Sequence, residues 1–254
     1  MPLPQTPSFR LDGRRALVAG ASSGIGRAAA VALAQAGARV TLLARQADNL
    51  VLLQSEMRAE GLEADYLALD ICDTAKMEST LAALAPYEIL VNSAGLARHS
   101  PALQTIESDY DAVTNVNVKA AYFLTRAVAK SLVGAQRSGS LINVSSQMGL
   151  VGGIDRAVYC ATKHALEGMT KAMAVEWGPH KIRVNTLCPT FTRTPLAEQT
   201  LSIPARRKWI EDQIKLGRIA EVEDLMGAVV FLASDAAAMM TGTSLLIDGG
   251  WTAS

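Results

Sequence analysis

Cysteine is scarce in this chain of 254 residues, and neither sign of charge is in excess. Cys72, Cys160 and Cys188 are far apart and odd in number, which fits neither a metal-ligand spacing nor a disulfide framework. We therefore expect reduced thiols, a cytoplasmic location and no metal site. Basic and acidic residues both number 24, so no global field attracts nucleic acid or an anionic membrane surface.

Long apolar runs are also missing. No run reaches the roughly 18–20 residues that span a bilayer, although 50% of the residues are apolar, which suits an ordered core. The opening segment, MPLPQTP, lacks the charged and apolar regions of a secretory signal. We expect residues 1–10 to be a loose tail and the chain, 1–254, to be one domain without a nucleic-acid or membrane partner.

Short apolar segments alternate with amphipathic ones along the whole chain. This alternation predicts a parallel sheet with helices on both faces, a doubly wound α/β fold of Rossmann type. The predicted strands are 16–19, 39–43, 64–69, 88–91, 140–144, 183–187 and 244–247. The predicted helices are 25–36, 47–60, 74–84, 107–132 and 157–177.

A glycine-rich turn, GASSGIG at residues 20–26, joins the first predicted strand to the first predicted helix. Ligands of such sheets bind beyond the carboxyl ends of the strands. Glycines there let backbone N–H groups approach a pyrophosphate at the positive end of the helix. A turn that only packs tightly is the alternative, but its position favours a dinucleotide site. The candidate cofactor residues are Gly20, Ser22, Ser23, Gly24, Ile25 and Gly26.

The end of the second strand bears on the choice of cofactor. An acid there would bond a ribose 2′-hydroxyl, whereas a 2′-phosphate favours an arginine. Here the strand runs through Ala44, where an acid would stand, to Arg45. We predict NADP(H) rather than NAD(H), with a solvated surface arginine as the alternative.

Tyr159 and Lys163 lie four residues apart on a predicted helix, and Ser146 precedes Tyr159 by thirteen. Positions i and i+4 share a helix face, so an ammonium could lower the pKa of the phenol. A serine hydroxyl at the preceding strand end could hold a substrate oxygen. Taken singly, these residues are as well explained by packing, solvation and turn capping. Together with a nucleotide turn, they indicate hydride transfer between a ketone and a secondary alcohol, as in a carbonyl reductase.

Further motifs run from about Leu11 to Trp251. They are Asp70-Ile71, Asn92-Ser93-Ala94-Gly95, Asn117, Asn185-x3-Pro189 and Asp248-Gly249-Gly250, beside the glycine turn, Ser146 and Tyr159-x3-Lys163. With this combination the chain resembles the short-chain dehydrogenase/reductase family over its whole length. The resemblance implies a sheet of seven parallel strands and a catalytic set of Asn117, Ser146, Tyr159 and Lys163.

The resemblance also implies a role for each motif. Tyr159 would be the acid/base, Lys163 would anchor the ribose and modulate Tyr159, and Asn117 would hold a relay water. The thirteen-residue spacing selects Ser146 over Ser145, and the family pattern selects Asn117 over Asn115. The cofactor would further contact Asp70, Ile71, Asn92, Ala94, Gly95, Thr192 and Thr194.

Two positions depart from the family pattern. Ala19 replaces a usual threonine, which removes one hydroxyl behind the glycine turn. Pro189-Thr190 replaces a usual Pro-Gly, which affects the expected geometry of the loop that contacts the nicotinamide. Neither change touches the proton-transfer residues.

Substrate choice in this family comes from the segment after the sixth strand, here 190–216, which we expect to form a loop or lid. Several cations near the mouth suit a small polyol, sugar or sugar acid, although the 206–208 run is more simply a solvated surface. Two alternatives are a 3-oxoacyl-carrier-protein reductase and a non-catalytic NADP(H) sensor or scaffold. The resemblance implies a homodimer or homotetramer. The candidate substrate residues are Ser146, Gln147, Arg156 and Phe191.

Overall fold

A parallel β-sheet forms the centre of the computed structural model, which describes residues 3–253. Within that range seven strands pair in the order β3-β2-β1-β4-β5-β6-β7, all parallel. They are β1 (Arg15–Ala19), β2 (Arg39–Ala44), β3 (Ala64–Ala68), β4 (Ile89–Asn92), β5 (Gly139–Val144), β6 (Ile182–Pro189) and β7 (Ser244–Ile247). The predicted fold class is confirmed, and strand ends differ from the prediction by one or two residues.

Helices cover both faces of this sheet. They are α1 (Gly24–Gln35), α2 (Ala47–Ala59), α3 (Thr74–Ala82), α4 (Glu107–Thr114), α5 (Ala121–Gly134), α6 (Ala157–Trp177), α7 (Pro195–Leu201), α8 (Pro204–Gln213) and α9 (Glu223–Ala233). Alternate residues of β1 enter opposite cores: Ala16 and Val18 pack with α1, α2 and α9, whereas Leu17 and Ala19 pack with α3, α5 and α6. This period of two explains why the strands read as continuous apolar runs.

The single helix predicted over 107–132 is wrong in one respect. A π-helical segment, Asn115–Ala120, separates α4 from α5. The side chain of Asn117 within it bonds both backbone groups of Leu96, which ties this point of the helix to the loop after β4. Such π segments occur often at functional sites. Hydrophobic periodicity did not detect the insertion because it leaves the apolar stripe almost intact.

The segment before β1 has no regular secondary structure from residue 3 to 10, and it is exposed. The Phe9 ring nevertheless lies 6.3 Å from that of Phe231 on α9. The first two residues of the expected tail lie outside the described range. Within the described range, no helix combines the length and the apolar character required to cross a bilayer.

Candidate active site

A cavity of about 600 Å³ opens beyond the carboxyl ends of the central strands. This is where a doubly wound sheet binds its ligands. Three candidates, Gly26, Asn92 and Asn117, lie behind its wall and do not line it. The candidate residues that line it are Gly20, Ser22, Ser23, Gly24, Ile25, Arg45, Asp70, Ile71, Ala94, Gly95, Ser146, Gln147, Arg156, Tyr159, Lys163, Phe191, Thr192 and Thr194.

The glycine turn packs too closely against other backbone atoms to accept a side chain at two of its positions. Gly20 has φ +75°, and a Cβ there would lie 2.8 Å from the amide nitrogen of Ala94. A Cβ on Gly26 would lie only 2.2 Å from the carbonyl oxygen of Gly20. This close packing keeps side chains out of the turn, and residues 22–25 at the N-terminus of α1 line the cavity. These residues fit the pyrophosphate of a dinucleotide.

The adenosine end of the cavity has the groups predicted for it. Arg45 is exposed directly after β2 and lines the cavity beside Gln46. Asp70 accepts a hydrogen bond from the backbone N–H of Cys72 at 2.9 Å, so it also organises the turn after β3. Asn92 donates to Asn143 at 3.3 Å and accepts from the N–H of Ala94 at 3.3 Å. The contacts of Asn92 are thus structural: they hold Ala94, which lines the cavity, while Asn92 itself does not line it.

Tyr159 and Lys163 meet on one face of α6. The Nζ atom of Lys163 lies 5.6 Å from the ring centroid of Tyr159 and donates to the carbonyl oxygen of Val144 at 2.9 Å. Desolvation raises the pKa of Tyr159, and the Ser146 hydroxyl and the Arg156 guanidinium oppose that rise. Desolvation outweighs both, so the net shift of the Tyr159 pKa is upward, and the cation that opposes the rise is Arg156 and not the predicted Lys163.

Lys163 is itself only 5% exposed. Desolvation lowers its pKa to about 8, and Coulombic interactions with Cys188 and with the Glu167 carboxylate oppose the change. The ammonium is therefore close to its titration range at a mildly alkaline pH. A group poised in this way is common at proton-transfer sites.

Sequence reasoning missed Glu167, one helical turn beyond Lys163. Its buried carboxylate accepts hydrogen bonds from Thr186 at 2.8 Å, Ser244 at 2.5 Å and Cys188 at 3.3 Å. The three donors lie on β6 and β7, so this carboxylate fixes α6 to the sheet. In the sequence, only the i,i+4 spacing from Lys163 points to Glu167. This spacing is too common on helices to identify a functional residue.

Ser146 begins the turn after β5. Its Oγ accepts from the N–H of Met148 at 3.1 Å and lies beside Tyr159. The hydroxyl thus caps a short 3₁₀ turn and still faces the cavity. Asn117 lies one layer deeper, where its amide donates to Thr162 on α6 at 3.1 Å.

The loop after β6 brings the two candidate threonines to the glycine turn. Thr192 donates to the carbonyl oxygen of Thr190 at 3.0 Å, and the N–H of Thr190 donates to Ile247 at 3.1 Å. Thr194 packs against the glycine turn, since a Cβ added to Gly24 would lie 3.0 Å from the Thr194 methyl group. Threonine at position 190 is therefore held in the loop by β7, despite the departure from the family pattern.

Most charges near the mouth are paired at the surface. Arg98 bonds Asp109, and Arg206 bonds Asp155. The other two cations of the 206–208 run bond acids one turn along α8. Among the described residues, no group of three or more His, Cys, Asp or Glu side chains could hold a metal ion.

Known proteins resemble this chain along almost its full length. A family profile described as Enoyl-(Acyl carrier protein) reductase matches residues 20–252. The chain is 43% identical to D-erythrulose reductase of Gallus gallus, over 98% of this chain and 99% of the relative. It is 42% identical to L-xylulose reductase of Bos taurus, over 96% and 99%.

A solved structure extends the match to three dimensions. Gluconate 5-dehydrogenase from Burkholderia cenocepacia J2315, in complex with NADP and tartrate, is 33% identical and superposes with a TM-score of 0.93. The superposition covers 97% of this chain and 98% of that one. Since the sheet order, the glycine turn and these full-length matches agree, the chain belongs to the short-chain dehydrogenase/reductase family.

Proposed function

We propose that this protein is an NADP(H)-dependent oxidoreductase that interconverts a ketone and a secondary alcohol. The substrate is a small polar carbonyl compound of the sugar or polyol type. One observation carries the proposal: Ser146, Tyr159 and Lys163 line the same cavity as the glycine turn that fits a dinucleotide. The relatives support the substrate type, since two are named as ketose reductases and one as a gluconate dehydrogenase.

Each residue of the set has a defined task in this reaction. The nicotinamide cofactor, when bound, supplies or accepts the hydride. Ser146 Oγ holds the substrate oxygen, and Tyr159 donates a proton to that oxygen during reduction and removes it during oxidation. Lys163 stabilises the phenolate and holds the ribose. Asn117, in its π-helical segment, holds a water that connects Lys163 to solvent.

The segment 190–216 closes the substrate side of the cavity in this proposal. Its loop contributes Phe191, Thr192 and Thr194 to the wall, and α7 contributes Leu196 and Thr200. The experiment below also distinguishes two alternative functions, a 3-oxoacyl-carrier-protein reductase and a non-catalytic NADP(H) sensor. The sensor has no need of a proton-transfer set facing the cofactor site.

Steady-state turnover of purified protein separates these functions. NADPH and NADH oxidation would be followed with ketoses, keto sugar acids, diketones and an acetoacetyl thioester, and the matching polyols would be run in reverse. NADPH-dependent turnover of sugar-like ketones is the expected result. Preference for the thioester would favour fatty-acid chemistry, and no turnover with either cofactor would favour the sensor.

The cofactor preference depends on Arg45 in this proposal. We expect Arg45→Asp to lower the ratio of kcat/KM for NADPH to that for NADH by about 10- to 100-fold, because a hydrogen-bonded ion pair with the 2′-phosphate is lost. The control is Arg58→Gln on α2, where an arginine bonds Asp65 at the surface. An unchanged ratio in Arg45→Asp would assign this arginine to the solvated surface.

Glu167 provides a prediction about pH. The negative charge of Glu167 opposes the desolvation that lowers the Lys163 pKa to about 8. Glu167→Gln should therefore lower that pKa further, so that the ammonium is lost earlier as pH rises. The alkaline limb of the kcat/KM profile should move to lower pH. Tyr159 and Cys188 also face this lysine, and desolvation raises the pKa of Cys188 to about 12, which keeps the thiol neutral in this range.

Ser244→Ala is the matched control for that substitution. It removes the 2.5 Å hydrogen bond to the same carboxylate but keeps the negative charge. Its alkaline limb should stay at the wild-type position even if its melting temperature falls. Equal movement of the limb in both variants would contradict an electrostatic effect.

We further propose that the protein is cytoplasmic and forms a homodimer or homotetramer. Exposed apolar side chains on the outer helices support it, among them Tyr110 on α4, Tyr122 on α5 and Val175 on α6. Leu246 on the edge strand β7 is also partly exposed, and an uncovered strand edge favours pairing with another copy. Light scattering on the purified protein measures the particle mass directly.

A further inference from the structure

Arg156 is a buried cation in the substrate part of the cavity. Its side chain lies three residues before Tyr159, and the residue is only 8% exposed. The guanidinium lies 5.1 Å from the ring centroid of Phe191 and donates to the hydroxyl of Thr200 at 3.3 Å. Within residues 3–253 it has no carboxylate within 4 Å, since the adjacent Asp155 bonds Arg206.

These contacts leave most of the guanidinium unsatisfied. It has five N–H donors in a planar fork, and a single long bond to a neutral hydroxyl uses one. An unpaired buried charge is costly, and burial lowers the pKa of Arg156 accordingly. The fork matches the two oxygens of a carboxylate, which it can bind through two parallel hydrogen bonds. The Arg156 guanidinium therefore lacks an anionic partner, and the carboxylate of a bound ligand could provide it.

A second, independent observation concerns Gln147. This side chain lines the same cavity and is only 1% exposed, yet neither its amide oxygen nor its amide nitrogen has a hydrogen-bond partner in the described part of the chain. A buried amide with both ends unpaired is uncommon and requires a partner. A hydroxyl group, which donates and accepts, can satisfy either end.

His99 closes the same part of the cavity. Its ring lies edge-on to Tyr159, with centroids 5.7 Å apart, and its Nδ1 is buried without a partner among the described residues. Desolvation and the nearby arginines lower the pKa of His99 to about 4, so it stays neutral at neutral pH. It can exchange a hydrogen bond with a hydroxyl but does not add a charge. Arg156 is thus the cation that selects an anion here.

We propose that Arg156 binds a carboxylate of the substrate and Gln147 binds one of its hydroxyls, so that the substrate class is the sugar acids rather than neutral ketoses. This inference rests on the proposed function, because it places the reacting carbonyl at Tyr159. The carboxylate is not changed in the reaction and serves only for binding and orientation. Since Phe191 and Thr200 belong to segment 190–216, the bound anion would also hold that segment over the cavity.

Binding of two matched probes tests the anion site without turnover. Tartrate and threitol share one carbon skeleton, and carboxylates in the first replace the hydroxymethyl groups of the second. Calorimetry on NADPH-loaded protein, in which neither alcohol can be oxidised, should give a Kd for tartrate at least about tenfold below that for threitol. Arg156→Gln should weaken tartrate binding by about 10- to 100-fold, as expected for hydrogen bonds to a charged group.

Arg206→Gln is the matched control. It removes a positive charge near the same mouth, but its side chain bonds Asp155 outside the cavity lining. Its tartrate Kd should change by less than about threefold, since exposed ion pairs contribute little. Equal Kd values for the two probes, or equal losses in the two variants, would overturn the inference. Should Arg156→Gln fail to fold, Arg156→Lys keeps the charge without the fork and should bind tartrate with intermediate affinity.

Turnover then separates this inference from the proposed function. The ratio of kcat/KM for a keto sugar acid to that for a neutral ketose of equal length should fall about 10- to 100-fold in Arg156→Gln, mainly through KM. An equal loss in kcat on both substrates, with a moved pH profile, would mean that Arg156 acts through Tyr159 and would overturn the inference. Turnover of none of these substrates would refute the proposed function, whereas tartrate binding would still test Arg156.

Discussion

Tyr159→Phe should lower kcat/KM for ketone reduction by about 10²–10⁴-fold, the usual contribution of a positioned acid/base. The substitution removes only the phenolic hydroxyl. It keeps the ring that packs edge-on against His99, so the fold and NADPH affinity should stay near wild type. Stopped-flow measurement of hydride transfer in a single turnover isolates this step from product release.

Tyr66→Phe is the control for that experiment. This tyrosine is 43% exposed on the edge strand β3 and does not line the cavity. Its loss should leave turnover unchanged. Wild-type turnover in Tyr159→Phe would mean that another group delivers the proton, and the proposed mechanism would fail. A large fall in NADPH affinity alone would instead assign the phenol to cofactor binding.

The same phenol should respond to pH in a defined direction. Desolvation raises the Tyr159 pKa, so the hydroxyl is protonated throughout the neutral range. Reduction needs this proton, and oxidation needs its removal. The pH optimum for alcohol oxidation should therefore lie above that for ketone reduction.

The parallel sheet could be predicted because local signals agree along the sequence. Strands such as β1 are buried on both faces and read as continuous apolar runs, and glycines mark the turns between strands and helices. Parallel strands joined by helices then restrict the topology to very few arrangements. The glycine turn and the Tyr159/Lys163 pair were visible for the same reason, since each is encoded within a few adjacent residues.

What could not be predicted depends on contacts between distant segments. Glu167 acquires its meaning from Thr186 and Ser244, which lie on two other strands. Arg156 is a candidate substrate residue from its position in the sequence, but its burial against Phe191 and Thr200 is seen only in the fold. Helices α7, α8 and α9 were also missed. The first two begin at prolines, a good first helical position that also reads as a loop signal.

Gly26→Ala should disrupt the cofactor site more than any other single methyl group in the glycine turn. The new Cβ would lie 2.2 Å from the Gly20 carbonyl oxygen and 2.6 Å from its carbon. Both are backbone atoms at the start of the turn, so relief requires the turn itself to open. We expect a stability loss of about 1–3 kcal/mol, as for overpacked interiors. NADPH affinity should fall about 10- to 100-fold, because the N–H groups that face the pyrophosphate are displaced.

Gly227→Ala gives the comparison that separates crowding from a general effect of alanine. Gly227 lies on the exposed side of α9, and a Cβ there meets nothing within 4 Å in the described part of the chain. Alanine should stabilise this helix by about 0.5–1 kcal/mol and leave NADPH binding unchanged. Calorimetry of NADPH binding with thermal unfolding of both variants would measure the contrast. If Gly26→Ala binds NADPH with wild-type affinity, the turn has enough freedom to absorb a methyl group. The close approach of Gly26 to Gly20 would then be a packing feature, and the phosphate contacts would have to come from elsewhere in the cavity wall.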